Sequence, residues 1–482
     1  MRHAGSAGKL FIVVFFVGLM YAGYRLDVAR HEADLYKKEF GYRTPTVGLP
    51  NRVFQSRAWQ GWLIDSAIAF TDGAHNLEPF DIDGDNDLEL IADSFRSDKL
   101  MMYDPVQDSH NPQHWARCVI DSRVGGGFTR CPVSVYAKSW LKKMLTEKYI
   151  AGGVHYTAIS DLNGDGKADL LVAGDEMRND VVWYERVDTT GGKPLSWLKH
   201  VAYRNDSHRT YHVEAGDIDG DGDQDIVFTT KTENSLGWLE NRRMPGAWPV
   251  TMVDSNCTRC FYARVADVDR DGRGEIFASR DDSQGAGGRL HLYRHTGNPK
   301  SVNDWRRYDL TRCPSGCGVS VFVLKDMDGD GNLDVAAASI QGDVLVLRNP
   351  YPDDVFRRWD TWFVRKGFTN RARDFREIDV GDIDLDGDQD IVVADEMRNA
   401  VLWFENPGET FCGGWKEHVV DQSSRYLRWC HSVRLGDIDN DGDLDIAVAA
   451  AASNVFLLYL NQAISNGGTA VAGVPSNAGE NK

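Results

Sequence analysis

The chain has 482 residues, 42% hydrophobic and 26% charged, with a formal net charge of −18. This is the composition of a folded globular protein and excludes a fibrous or fully disordered one. The acidic balance, with no Lys/Arg cluster, excludes nucleic acid as a partner, because phosphate binding needs a basic face.

Arg2 and Lys9 precede a charge-free apolar run, LFIVVFFVGLMYAG, at residues 10–23. A helical span needs about 20 apolar residues, so this run fits the core of a secretory signal over residues 1–26. No small-x-small cleavage site follows, which fits equally a retained anchor with membrane attachment through residues 10–26. Either way the remainder is expected on the extracytoplasmic side, secreted or membrane-anchored. Residues 27–50 read as a charged spacer. WQGWLID (59–65) is the first predicted strand.

An acidic nine-residue pattern follows: DIDGDNDLE (81–89), DLNGDGKAD (161–169), DIDGDGDQD (217–225), DVDRDGRGE (267–275), DMDGDGNLD (326–334), DIDLDGDQD (382–390) and DIDNDGDLD (437–445). The first aspartates are 80, 56, 50, 59, 56 and 55 residues apart, the spacing of a repeat architecture. Each copy leads into a short apolar run such as LLVAG or IVVAD, rich in β-branched residues and too short for an independent helix. A second run follows, as in VVWYE (181–185) or VLWFE (401–405), and then one opening on tryptophan, as in WLKHVAY (197–203) or WKEHVVD (415–421). A fourth, such as HVEAGD (212–217), enters the next acidic copy. Four short antiparallel strands, seven times over, predict an all-β seven-bladed β-propeller over residues 51–462. The last repeat lacks a tryptophan strand, so residues 59–65 are expected to complete it and close the ring. An insertion at about 122–154 carries a candidate amphipathic helix, VSVYAKSWLKKMLTEKYI, and residues 463–482 read as a disordered tail.

The eight cysteines lie at 118, 131, 257, 260, 313, 317, 412 and 430. CTRC and CPSGC fit two local disulfides in an exported protein, a shared tetrathiolate zinc site, or free thiols. The sequons at Asn205 and Asn256 would make a glycoprotein in a eukaryotic secretory pathway.

Within each copy, positions 1, 3, 5 and 9 carry the candidate metal ligands. These are Asp81, Asp83, Asp85 and Glu89; Asp161, Asn163, Asp165 and Asp169; Asp217, Asp219, Asp221 and Asp225; Asp267, Asp269, Asp271 and Glu275. The last three copies supply Asp326, Asp328, Asp330 and Asp334; Asp382, Asp384, Asp386 and Asp390; Asp437, Asp439, Asp441 and Asp445. Oxygen-only ligation suits a hard cation, calcium above magnesium. Position 12 is non-acidic and strands flank the loop, so this is not an EF-hand. Seven filled sites would shift the charge from −18 by +14 to −4. Asn86 replaces glycine at position 6, Asn163 replaces Asp at position 3, and Glu89 and Glu275 end their copies, so these three copies are expected to bind more weakly.

Loops of the form D-x-D-x-D-G-x-x-D between strands, repeated seven times over residues 59–460, resemble the FG-GAP/VCBS repeat family, with the integrin α-subunit propellers and certain fungal lectins among its members. The resemblance implies the propeller and up to seven calcium ions. It implies function poorly, since the fold hosts adhesion receptors, lectins and enzymes. In such a ring the residues just before each innermost strand surround the channel mouth, opposite the acidic loops. Here they are His155, Tyr211, His212, Tyr262, Arg376 and His431, joined by Arg178 and Arg398 from two near-identical DEMRN turns at 175–179 and 395–399. The expected function is a binding or adhesion module taking a glycan or protein ligand at this mouth. A polysaccharide lyase or sugar dehydratase using the same His, Tyr and Arg side chains is one alternative; a membrane-anchored subunit of a larger assembly is the other. No Ser-His-Asp signature, phosphate loop or haem motif is present, since Phe261 follows Cys257–Cys260.

Overall fold

The computed structural model describes residues 51–470 except 56–57, 66–73, 95–98, 106–114, 122–152, 176–179, 188–195, 205–209, 231–233, 245, 281–288, 312–318, 368–374, 423–425 and 466–468. The apolar N-terminal run, most of the 122–154 insertion, Arg178, CPSGC, the Asn205 sequon and the tail beyond 470 lie outside these residues.

Seven antiparallel sheets form the fold, and no α-helix occurs among the described residues. In blade 1, Ala74–Phe80, Glu89–Ser94, Lys99–Asp104 and Ala116–Asp121 run in order from the innermost strand outward. Blades 2 to 6 repeat this order and begin with the innermost strands Gly153–Ser160, Thr210–Gly216, Cys260–Ala266, Val321–Lys325 and Phe375–Gly381. Each innermost strand packs beside those of both neighbouring blades, and Cys430–Gly436 of blade 7 packs on Ala74–Phe80 of blade 1, so the seven make a closed ring.

Closure occurs as the sequence predicts. Trp59–Asp65 pairs antiparallel with Val455–Asn461, placing Leu63 opposite Leu457 and Trp59 opposite Asn461. Blade 7 gains one strand beyond the expected four, because Asn51–Gln55 adds to its outer edge.

The second strand of each blade is buried along its length, as in Asp225–Thr230 and Asp390–Asp395. Both its faces meet neighbouring blades, which explains runs of Ile, Val and Ala in place of strict alternation. The tryptophan opening the fourth strand is buried in five blades, with 3 to 6% exposure at Trp197, Trp248, Trp305, Trp359 and Trp59, and half-buried at Trp115 and Trp415. Burying a side chain of this size contributes roughly 3 kcal/mol. In blades 3 to 6 its indole N–H is satisfied within the connection that precedes it, as where Trp305 Nε1 donates to Pro299 O at 2.8 Å and Trp359 Nε1 to Val355 O at 2.9 Å, whereas Nε1 of Trp115 and Trp197 has no hydrogen-bond partner. One residue type thus both fills the space between blades and fixes the turn into the outer strand.

Candidate functional sites on two faces of the ring

The acidic copies are the loops joining first and second strands, and their shape comes from the aspartates themselves. In all seven the position-1 carboxylate accepts the position-6 N–H at 2.8 to 3.1 Å. Position 5 accepts the position-7 N–H at 2.8 to 3.2 Å. Position 9 accepts the position-2 N–H at 2.8 to 3.1 Å. Position 6 lies at positive φ, from 82° at Gly166 to 97° at Gly387, where glycine carries no penalty. Asn86 adopts φ 72° there, a conformation asparagine tolerates, so the first copy keeps the loop shape.

In at least five copies, three carboxylates each offer an oxygen within 4.8 Å of the others: Asp81/Asp83/Asp85, Asp217/Asp219/Asp225, Asp267/Asp269/Asp271, Asp326/Asp328/Asp334 and Asp382/Asp384/Asp390. The clusters could hold a metal ion. A fit test comes from buried oxygens: Glu89 Oε1 and Asp219 Oδ1 have no hydrogen-bond partner, an arrangement that costs free energy unless a cation or water meets them. Burial pushes the carboxyls of Glu89, Asp225, Glu275 and Asp390 up to about 8 and that of Asp334 to about 7, with neighbouring loop aspartates adding to the rise. A bound cation would reverse that cost.

Two features of the loops escaped sequence reasoning. The first is a staple between blades: the position-2 carbonyl accepts a side-chain donor from the next blade in five cases. The donors are Asn241 to Leu162 O (2.8 Å), His295 to Ile218 O (3.2 Å), Thr410 to Met327 O (2.8 Å), Asn461 to Ile383 O (2.8 Å) and Arg186 to Ile82 O. The asparagines of WLEN, WFEN and LYLN were the visible signal, since Asn406 holds Thr410 by a 2.9 Å bond. The second feature is an arginine at the end of the third strand in blades 4 and 5. Arg294 lies 2.9 Å from both Asp269 and Asp271, and Arg348 lies 2.9 Å from Asp328. The equivalent residues in blades 2, 3 and 6 are Glu185, Glu240 and Glu405. A cleft of about 520 Å³ also opens on this face between blades 5 and 6, walled by Asp326, Asp328 and Phe411.

The opposite end of the ring is built by register. Six residues before each first aspartate stand His75, His155, Tyr211, Phe261, Ser320, Arg376 and His431, one per blade. Five of these rings form a continuous arc. Centroid separations run 3.9 Å from His431 to His75, 4.7 Å to His155, 3.8 Å to Tyr211 and 4.9 Å to Phe261. The sequence singled out four of the seven and passed over His75, which holds the same place in its repeat.

Arg376 is held by Glu396 at 2.5 Å. Glu396 belongs to the 395–399 turn, whose remaining groups also make structural bonds. Asp395 accepts the Arg398 N–H at 3.1 Å, and Asn399 accepts the Trp429 N–H at 3.0 Å. The described DEMRN turn therefore fastens blade 6 to blade 7 and places Arg376; Arg398 itself is half-buried.

His212 and Tyr262 lie one residue deeper, inside the channel. His212 is fully buried, stacked 3.9 Å from Tyr156 and 4.8 Å from Tyr262, and neither ring nitrogen has a hydrogen-bond partner. Burial, then Arg264 and Arg434, hold its pKa well below the ordinary histidine value, so it is neutral. Beneath it the side chains meet across the axis. Arg434 of blade 7 pairs with Glu78 of blade 1 at 2.9 Å and with Glu377 of blade 6 at 3.2 Å. Arg264 of blade 4 pairs with Glu214 of blade 3, and both arginines donate to Tyr156 Oη at 3.0 Å. This ionic plug fills the channel below the mouth with groups whose partners are other channel residues.

Seven antiparallel blades whose first and second strands are joined by acidic Asp/Gly loops define a class: a closed propeller of acidic-loop repeats. The FG-GAP-like repeat profile matches residues 161–228, 217–278, 326–393 and 382–448, together half of the chain. The chain belongs to the FG-GAP-like repeat family. Among solved structures it is similar to an Agrocybe aegerita lectin described as recognising non-reducing terminal N-acetylglucosamine, with TM-score 0.46 and 16% identity over 82% of this chain and 87% of that one. It is also similar to BBS1N, solved in complex with ARL6DN, with TM-score 0.45 and 11% identity over 86% of this chain and 98% of that one. No curated protein matches the chain.

Proposed function

We propose that this protein is an extracytoplasmic, calcium-stabilised binding module that takes a glycan or protein ligand at the channel mouth. The observation carrying this reading is the arc of five rings, His431 to Phe261, lying over a plugged channel. Tilted and edge-on rings beside a paired Arg376 suit a ligand with both apolar and polar surfaces. The plug means that the ligand rests on the mouth and does not pass through it.

Calcium is the proposed cation because the loop ligands are all oxygens. Its role is structural, fastening first and second strands within each blade. Export is inferred from the N-terminal apolar run, with the segment either removed or kept as an anchor in a larger assembly. Cys257 and Cys260, with Cα atoms 5.3 Å apart, are within disulfide reach, as an oxidising compartment would use them. As acid–base groups for a lyase, the mouth offers His155, His431 and Tyr211, because His212 is enclosed.

The test is binding of the calcium-loaded protein to a glycan array and to extracellular matrix proteins. Tyr211→Ala and Phe261→Ala should abolish binding without lowering the melting temperature by more than a few degrees. Binding that survives both changes and disappears when exposed loop-face residues are altered would move the ligand to the other face. Turnover of a uronate polymer would replace the binding reading with the lyase one.

A further inference from the structure

Three of the seven mouth positions are histidines, and they are consecutive around the ring: His431 in blade 7, His75 in blade 1 and His155 in blade 2. His75 stands in the middle, its ring centroid 3.9 Å from His431 and 4.7 Å from His155. Two imidazoles on one tetrahedral ion, with metal–nitrogen bonds of about 2.0–2.1 Å, have centroids about 5 Å apart. The His75–His155 separation is close to that value, and the His75 and His431 rings would have to swing apart by about 1 Å to reach it.

Directly beneath runs a buried chain of hydrogen bonds that joins these three blades. Ser432, next to His431, donates to Asn76 Oδ1 at 3.1 Å, and Asn76 is next to His75. Asn76 Nδ2 reaches Thr157 O at 3.4 Å, two residues beyond His155. Asp93 completes the chain, accepting Thr157 Oγ1 at 2.9 Å and the Asn76 N–H at 3.1 Å. All four residues are no more than 2% exposed. Blades 3 and 4 make shorter links from the repeat position of Asp93, with Thr229 Oγ1 donating to Phe261 O and Ser279 Oγ to Ser320 O, both at 2.9 Å; under the histidines the links join into one chain across three blades. A buried hydrogen-bonded brace that fixes the backbone under converging histidines is the support a ligand set requires.

We infer that His75, His155 and His431 hold one divalent transition-metal ion of the zinc class at the channel mouth, with a fourth coordination position left over. Imidazole nitrogens favour zinc, cobalt, nickel or copper over calcium, so this site and the oxygen-lined loops would take different ions. Three protein ligands with one open position leave room for an oxygen donor from outside. Tyr211 and Phe261 continue the arc on one side, so the chemistry fits a ligand presenting a carboxylate or adjacent hydroxyls next to an apolar face, as a sugar acid does. The choice of ligand rests on the mouth being the binding face; the ion site does not.

The full chain, stripped with chelator and refilled with calcium, is titrated with cobalt(II) and then zinc. One equivalent of cobalt should bind with the visible absorption of a tetrahedral nitrogen-ligated ion, and zinc should displace it. His155→Ala and His431→Gln should each lose the band and weaken zinc binding at least tenfold, with calcium content and melting temperature unchanged. Tyr211→Ala should keep the band. The inference is overturned if wild type gives no such band, if the band survives both histidine changes, or if it carries the near-ultraviolet charge transfer of thiolate ligation. A protein silent toward cobalt that still binds a glycan overturns the ion site alone, whereas cobalt binding with no ligand at the mouth overturns the binding reading alone.

Discussion

Removing calcium at pH 8 should lower the melting temperature by about 15 °C, and by less at pH 5. At least five loops bring three carboxylates within 4.8 Å. An ion at a hundredfold excess over its dissociation constant stabilises the folded state by about 2.7 kcal/mol per site, or about 13 kcal/mol for five. Unfolding about 400 residues at roughly 2.1 cal/mol/K each gives an entropy near 0.85 kcal/mol/K, hence the shift of about 15 °C. The pH dependence follows from the buried loop acids. Asp225, Glu89, Glu275 and Asp390 stand at about 8 and Asp334 at about 7, burial being the first cause. Those folded values exceed the roughly 4 of an unfolded carboxyl, so the metal-free folded chain holds more protons than the unfolded chain between about pH 4 and 8. Its stability is highest below that window and is lost as pH rises through 7 to 8. Calcium bound in the loops would take the place of those protons, so the loaded protein should lack this loss. Thermal melts by circular dichroism, with calcium and with chelator at pH 5 and pH 8, measure all four conditions. Equal melts at pH 8 with no calcium by elemental analysis, or a larger chelator effect at pH 5, would refute the reasoning.

Arg434→Ala should destabilise the protein by about 3–5 kcal/mol in urea unfolding, because Glu78 and Glu377 then stay buried without their cation; adding Glu78→Gln should recover part of the loss. Arg294→Ala and Arg348→Ala remove guanidinium groups 2.9 Å from loop carboxylates and should tighten calcium binding in blades 4 and 5, seen as two stronger steps in calorimetric titration; an unchanged isotherm would show that these arginines do not compete. Asn461→Ala deletes the bonds to Ile383 O and Leu444 O and should cost about 1–3 kcal/mol, with calcium stoichiometry unchanged.

The repeat made the architecture legible because every blade solves the same problem with the same residues. Even ring closure could be read, since one tryptophan strand was missing at the end of the chain and present at its front. What stayed hidden depends on groups far apart in sequence. Arg434 and Glu78 are separated by 356 positions, and nothing near either residue shows that they meet on the axis. His75 was overlooked because its segment, HNLEPF, has a proline and no resemblance to YHVEAG, although His75 and Tyr211 stand at the same distance from their loop aspartates. The two DEMRN segments looked like paired ligand sites. The described one serves as a turn, because Asn399 takes φ 53° and its side chain reaches Trp429 in the next blade.

The pairing of Trp59–Asp65 with Val455–Asn461 also sets the order of events during synthesis. The inner partner of this strand appears about 390 residues after it, and a ribosome adding roughly 5–20 residues per second takes about 20–80 s to make that length. Blades 1 to 6 each have their four strands in consecutive order and can form as the chain emerges. Blade 7 cannot be completed until Val455–Asn461 is released, and until then the waiting strand Trp59–Asp65 and the open side of Asp445–Ala450 present unpaired backbone. A chain stalled or shortened before residue 455 would keep those edges exposed, and they would be the first surfaces for a chaperone to bind or for another copy to pair with.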